Sequence, residues 1–313
     1  MRRHTKRLIE KWKLMGLYER FLLGGAVLYM VGVSVYMLWH RAWFSPDQFF
    51  FFAFFGVLLL GKTRQFLFDW IPIMLLLFGY EYLRGLGPVL TKNVNIFPMI
   101  KADKFMFGEI PSIRLQNALF VDNVTHWYDY LAVILYISHF VIPMMIAFLF
   151  WLDDRKHFKE YMAGLLILSY TAFITYMLYP AMPPWMASNL GYIPPLKKVM
   201  DQVLANFATP IDVPSVYRFF GANLVAAVPS LHAAYPWLIF LFVFKRLKKI
   251  ALLLLPYVFG VWFSIIYLGE HYVIDGIIGV IYATIAFIII VRFRTIIRVT
   301  KSFKSGLSYR LRV

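Results

Sequence analysis

The chain has 313 residues, 61% of them apolar, 19% aromatic and only 15% charged, a balance that excludes an ordinary soluble domain and matches a polytopic membrane protein. Its 32 Lys and Arg outnumber 16 Asp and Glu, but they fall in short clusters between long apolar runs, so there is no contiguous basic surface for a nucleic acid. Cysteine is absent, which excludes disulfides and thiolate metal sites.

Residues 1–20 place Leu8, Trp12 and Met15 among Lys and Arg, the pattern of a basic amphipathic segment drawn to anionic lipid. Eight apolar runs follow, at 21–39, 49–61, 69–84, 127–151, 160–179, 230–244, 250–268 and 272–291, most of them near the ~20 residues that cross a bilayer. The first is expected to be an uncleaved anchor, because Trp39-His-Arg-Ala-Trp43 is a poor small-residue cleavage site. The predicted fold class is all-α, a polytopic membrane helix bundle of about eight transmembrane helices. With both termini cytoplasmic, 23 of the 32 basic residues fall inside and nine outside, as positive-inside retention requires, and removing one span would put a basic cluster on the wrong side. The chain then divides into the basic segment 1–20, two N-terminal helices in 21–65, a site-bearing domain in 66–291 and a basic cytoplasmic tail, 292–313.

Two outer segments, about 85–126 and 180–229, are too long for plain turns. In the second, Leu196, Val199, Met200, Val203, Leu204 and Phe207 recur at helical spacing, which predicts a helix in the interface, as a lid or as a cover for the bundle rim.

The chemistry concentrates in two motifs on one membrane face, Pro229-Ser230-Leu231-His232 and His271-Tyr-Val-Ile-Asp275. Ser230 is a predicted N-cap, which leaves the amides of Leu231, His232 and Ala233 for a phosphate. His271 and Asp275, four apart, share a helix face if both are helical. A carboxylate accepting one imidazole N–H leaves the other nitrogen free to attack phosphorus. His232, across the phosphorus, would protonate the leaving oxygen and later take a proton from water or an alcohol. Two histidines and an aspartate can also ligate zinc, although the anion-favouring turn argues for metal-free chemistry. His139, midway along the fourth run, is a candidate supporting residue.

These motifs, in this order and spacing, resemble the second and third signatures of the type 2 phosphatidic acid phosphatase superfamily, and more narrowly its inositol phosphorylceramide synthase branch. Ser264-Ile-Ile-Tyr-Leu-Gly-Glu-His271, Met182-Pro183-Pro184-Trp185, Asn223-Leu-Val-Ala-Ala-Val and Tyr80-Glu81-Tyr82-Leu83-Arg84 add to the resemblance, which covers roughly 66–291. It implies a six-helix catalytic core with His271 as nucleophile, His232 as acid and base, Asp275 as orienter, and no cofactor.

The superfamily's first motif pairs Lys with an Arg-Pro, where this chain has Thr175 or Tyr176 and then Met182 or Pro183; the third motif's Arg is Ile265. A phosphodiester, with one charge, needs fewer cations than a monoester. That favours a diester donor, and the resemblance to the synthase branch then implies head-group phosphate transfer from a phospholipid such as phosphatidylinositol to a lipid alcohol, expected at the extracytoplasmic face of the cell membrane. Hydrolysis of a lipid phosphate by water is the alternative, and a lipid transporter is a further one. Ser230, Asn223, Arg84 and Arg218 are the expected substrate-binding residues, Arg84 with Glu81 as an i, i+3 partner.

Overall fold

The computed structural model describes residues 62–90, 93–206 and 223–310, with a few single positions nearer the start. The basic N-terminal segment, most of the first two expected spans and Arg218 lie outside the described residues. The helices are α1 (Thr63–Leu90), α2 (Phe97–Phe107), α3 (Pro111–Leu119), α4 (Trp127–Asp153), α5 (Arg155–Leu178), α6 (Pro184–Asn189), α7 (Val199–Ala205), α8 (Leu231–Leu247), α9 (Leu255–Tyr267) and α10 (Val273–Arg310). Of two compact units, the larger, Leu75–Ala208 with Phe219–Val313, carries both histidine motifs.

Among the described residues, Arg64–Gly85, Arg155–Leu178, Leu231–Tyr267 and Val273–Arg292 are long and apolar enough to cross a membrane, and Trp127–Asp153 makes a fifth if its two bent halves are one span. The third of these doubles back. Lys248 takes a positive φ of 54°, and the Trp262 indole N–H donates to the Ala233 carbonyl at 3.1 Å. Helices α8 and α9 therefore lie side by side and antiparallel, where runs 230–244 and 250–268 were expected. In α4 the halves Trp127–His139 and Val141–Asp153 meet at 51°. Pro143 supplies the cause, because its ring collides with the carbonyl four residues back, that of His139. Helix α10 runs on to Arg310, well past the end expected at 291.

Close packing of α8 on α10 rests on small residues. Gly276, Gly279, Ala283 and Ala286 recur at three- and four-residue spacing along one side of α10, and both alanines are buried. On the other side Ile277, Ile281, Ile285, Ile288 and Ile289 are exposed, as lipid-facing positions should be. This is the membrane pattern of helix association through small residues and close backbones. At the end of α8 remote from His232, Lys245 pairs with Glu160 and Arg246 with Asp153 at 2.9 Å.

The segments 93–126 and 180–206, with 223–229, build a layer over the histidine end. Asn95 N–H donates to Pro180 O at 2.8 Å, Met182 N–H to Asn95 O at 3.0 Å, and Ala181 N–H to Val225 O at 2.7 Å, which ties three stretches of chain together. Met99, Ile100, Ile110, Met182, Ile193 and Tyr272 bury themselves beneath these ties. The helix expected from 196 is shorter, Val199–Ala205. Its Val199 and Val203 are buried against Ala132, Val133, Tyr267 and Leu268, so it covers the rim of the bundle.

A Cβ at Gly279 would strike the carbonyl oxygen of Ser230, whereas one at Gly276 would meet Ala233 Cβ at an ordinary 3.6 Å. Gly279→Ala is thus expected to destabilise the detergent-solubilised protein by about 1–3 kcal/mol, and Gly276→Ala to leave the thermal midpoint near that of the unaltered chain.

Candidate active site

The site is built at the first turn of α10. A helix start leaves several backbone N–H groups without partners, and Tyr272, the residue before Val273, has no side-chain oxygen placed to cap them. Two carboxylates do so instead. Asp275 reaches back to accept the Tyr272 N–H at 2.9 Å, half of a capping box. Asp103, from α2, accepts the N–H groups of Val273 and Ile274, each at 3.0 Å. Both carboxylates have no exposed surface.

His271 lies just before this helix rather than on it, which corrects the expectation that it and Asp275 share a helical face. The pairing survives because the chain turns sharply. Gly269 has φ +77°, and the N–H groups of Glu270 and His271 both donate to Ile265 O at 3.1 Å. His271 Nδ1 then faces Asp275 Oδ2 at 3.5 Å, an ionic contact longer than an aligned hydrogen bond.

His232, in the first turn of α8, places Nδ1 3.1 Å from His271 Nε2. The two rings therefore touch directly instead of standing on opposite sides of a phosphorus-sized gap. In this contact one nitrogen donates and the other accepts, while His232 Nε2 and His271 Nδ1 are buried without a hydrogen bond. The His232 ring stacks on Tyr136, with centroids 4.2 Å apart, and lies 3.7 Å from the ring of His139. His139 Nδ1 donates to Tyr136 O at 2.5 Å, so this mid-membrane histidine is part of the packing that orients His232.

Ser230 caps α8 as expected, accepting the Ala233 N–H at 3.3 Å. That removes Ala233 from the expected set of free amides, since its N–H is spent on the cap. The Ser230 N–H donates to Asp275 O at 3.0 Å, which joins the two motifs through their backbones. Arg84 forms the expected pair with Glu81, through Nη2 at 2.8 Å and Nε at 3.0 Å. Asn223 is buried and uses Oδ1 to accept the Val225 N–H at 3.2 Å, a local turn bond. Arg218 lies outside the described residues.

A family model described as the PAP2 superfamily matches residues 105–289, which is more than half of the chain and includes both histidine motifs. The chain belongs to the PAP2 superfamily. It is also 27% identical over 226 residues, 70% of its own length and 74% of the relative's, to a Phosphoinositol dihydroceramide synthase of Bacteroides thetaiotaomicron. No solved structure matches it.

The superfamily's departures from type in this chain now have structural content. Tyr176, near the position of the first motif's Lys, donates its hydroxyl to Pro229 O at 2.8 Å and so braces the Pro-Ser-Leu-His turn. Ile265, in place of the third motif's Arg, is buried, and its carbonyl holds the His271 turn. Asp103 was missed in the sequence. Within Lys101-Ala-Asp103-Lys104 it has the pattern of a solvated helix face, and only the fold shows it buried. Gln116 was also missed: its side chain bonds Lys197 N and O and Tyr267 O at 2.8–2.9 Å, fastening the outer layer to α9.

Burial pushes the Asp103 carboxyl up to about 6, the two amide bonds oppose the rise, and the Asp275 charge adds to it. A raised folded-state value means that the folded protein holds this proton more tightly than the unfolded chain. The contribution is complete below the ordinary 3.8 and lost as pH rises through about 6. The thermal midpoint should therefore fall as pH rises across that window, and Asp103→Asn should flatten that part of the profile.

Proposed function

We propose that this chain is a multi-pass membrane phosphotransferase that moves the head-group phosphate of a phospholipid such as phosphatidylinositol onto a lipid alcohol, through a phosphohistidine on His271. The observation that carries the reading is the contact of His232 Nδ1 with His271 Nε2 at 3.1 Å, with Asp275 Oδ2 3.5 Å behind the nucleophile. With Nδ1–H turned to the carboxylate, the lone pair of His271 Nε2 points at His232, where a phosphoryl group would enter as the rings part.

In the first half-reaction His271 Nε2 bonds to phosphorus, the P–O bond to the lipid's glycerol breaks, and His232 gives its proton to the departing oxygen. In the second, the acceptor hydroxyl gives its proton to His232, its oxygen bonds to phosphorus, and the N–P bond breaks. Water in place of the alcohol makes the same cycle a phosphatase. The diester donor is supported by the absence of the superfamily's basic clamp, with Thr175, Tyr176, Met182, Pro183 and Ile265 at the relevant places, and by the name of the Bacteroides relative. Ser230 shapes the turn beside His232, and Arg84 supplies positive potential to the phosphate, with Asn223 and Arg218 as further substrate contacts.

The sidedness follows from charge. Lys245, Arg246, Lys248 and Lys249 sit at the end of α8 opposite His232, and basic clusters stay cytoplasmic. The histidines then face the extracytoplasmic side, with both termini inside, and residues 66–291 form the catalytic domain.

Purified protein incubated with phosphatidylinositol and a long-chain amino-alcohol or ceramide should yield an inositol-phosphate-bearing product by mass spectrometry, and phosphatidic acid should be the poorer donor. His271→Ala should lower turnover at least about 10³-fold and His232→Ala about 10²–10⁴-fold, with folding retained and activity persisting in excess chelator. Full activity in His271→Ala, or loss of activity on chelation, would refute the mechanism.

A further inference from the structure

The residue immediately before His271 is Glu270, buried at 9% exposure. Its backbone is fixed beside the nucleophile, because the N–H groups of both residues donate to Ile265 O at 3.1 Å. Glu270 Oε1 makes no hydrogen bond and lies 3.9 Å from Lys198 Nζ. Lys198 in turn lies over the Trp185 ring, 4.8 Å from its centroid, and is 3.7 Å from Asp201. The Trp185 backbone N–H donates to Gly269 O at 3.0 Å, so the residue whose ring lies under the lysine has its backbone fastened to the turn that carries His271.

The placement of Lys198 is informative. Trp185 follows Met182-Pro183, where the superfamily's first motif would present its arginine. Lys198 approaches that flank from another stretch of chain, and it brings a carboxylate partner with it. Arg84 is likewise paired, with Glu81 at 2.8 Å. Each of these two cations thus has a carboxylate partner. Burial raises the Glu270 carboxyl above its ordinary range, while Lys198 and His271 pull it back and Asp201 opposes them.

We propose that the Lys198–Glu270 pair sets the charge of the phosphate that the site accepts, admitting a monoanionic diester and turning away a dianionic monoester. The inference rests on the phosphohistidine reading above and deepens it. Lys198 attracts the phosphate, and Glu270 cancels enough of that attraction that a second phosphate charge goes uncompensated. The pair acts on substrate choice and takes no part in bond making.

The test uses methyl phosphate and dimethyl phosphate as minimal probes at pH 8, where the first is a dianion and the second a monoanion. Their apparent Kd values are measured by the thermal shift of the full-length protein in detergent. The unaltered chain should bind dimethyl phosphate more tightly. Glu270→Gln should tighten methyl phosphate binding about tenfold, the scale of one unit-charge interaction in a partly buried site, and change dimethyl phosphate by less than about threefold. Lys198→Gln should weaken both, Lys198→Arg should restore both, and the doubly neutral Lys198→Gln/Glu270→Gln protein should return the preference to its starting side. Unchanged methyl phosphate affinity in Glu270→Gln, or binding of neither anion by the unaltered chain, overturns the inference. Lipid turnover and its loss in His271→Ala judge the underlying reading separately.

Discussion

The start of α10 is the constraint on which the site depends. A helix that begins beneath other chain must find acceptors for its first amides, because water cannot serve them. Here the acceptors are Asp275 from within and Asp103 from α2. The same Asp275 carboxylate that accepts the Tyr272 amide stands 3.5 Å from the His271 ring. One group therefore sets the helix start and orients the nucleophile, which couples the integrity of the outer layer to the chemistry below it. Leaving such buried amides unpaired costs about 1–3 kcal/mol each, enough to displace the turn that His271 occupies.

The bundle beneath obeys the packing rules of a lipid solvent. Large isoleucines on α10 face outward and glycine and alanine face inward, since lipid offers no hydrophobic drive for burying them and close backbone contact becomes the stronger attraction. Several polar groups of the interior are paired: His157 with the Phe242 carbonyl at 3.1 Å, Tyr235 with Ser169 at 2.8 Å, and His139 with Tyr136 O at 2.5 Å. The histidine pair adds one contact, His232 Nδ1 with His271 Nε2 at 3.1 Å, and leaves His232 Nε2 and His271 Nδ1 buried without a hydrogen bond.

Much of this was legible in the sequence because its carriers are local. Apolar runs marked α1, α4, α5, α8, α9 and α10, and His232, His271 and Asp275 stood out through motif and spacing. What stayed hidden depends on long-range contact. Asp103 is 170 residues from the amide of Val273, and no periodicity distinguishes it from Lys101 or Lys104 beside it. The role of His139 rests on a bend set by Pro143 and on a ring carried by α8. His271 was assigned to a helix because four-residue spacing suits one, yet a carboxylate in a capping position produces the same spacing from a residue outside it. The ladder of ties through Asn95, Ala181 and Ala226 joins segments whose sequences advertise only loops.

The hairpin of α8 and α9 gives the spacing of the two motifs a meaning. Its tip at Lys248 lies at the far end of α8 from His232, and its two arms come back to the site through the Trp262–Ala233 contact. The 39 residues that separate the histidines thus measure a detour, and relatives can lengthen or shorten it at the tip without disturbing the rings. The interval from His271 to Gly279 has no such freedom, because His271 faces Asp275, and Asp275 O and Gly279 both bear on Ser230. A single inserted residue there would rotate α10 by about 100°, so the two halves of the signature tolerate length change in very different measure.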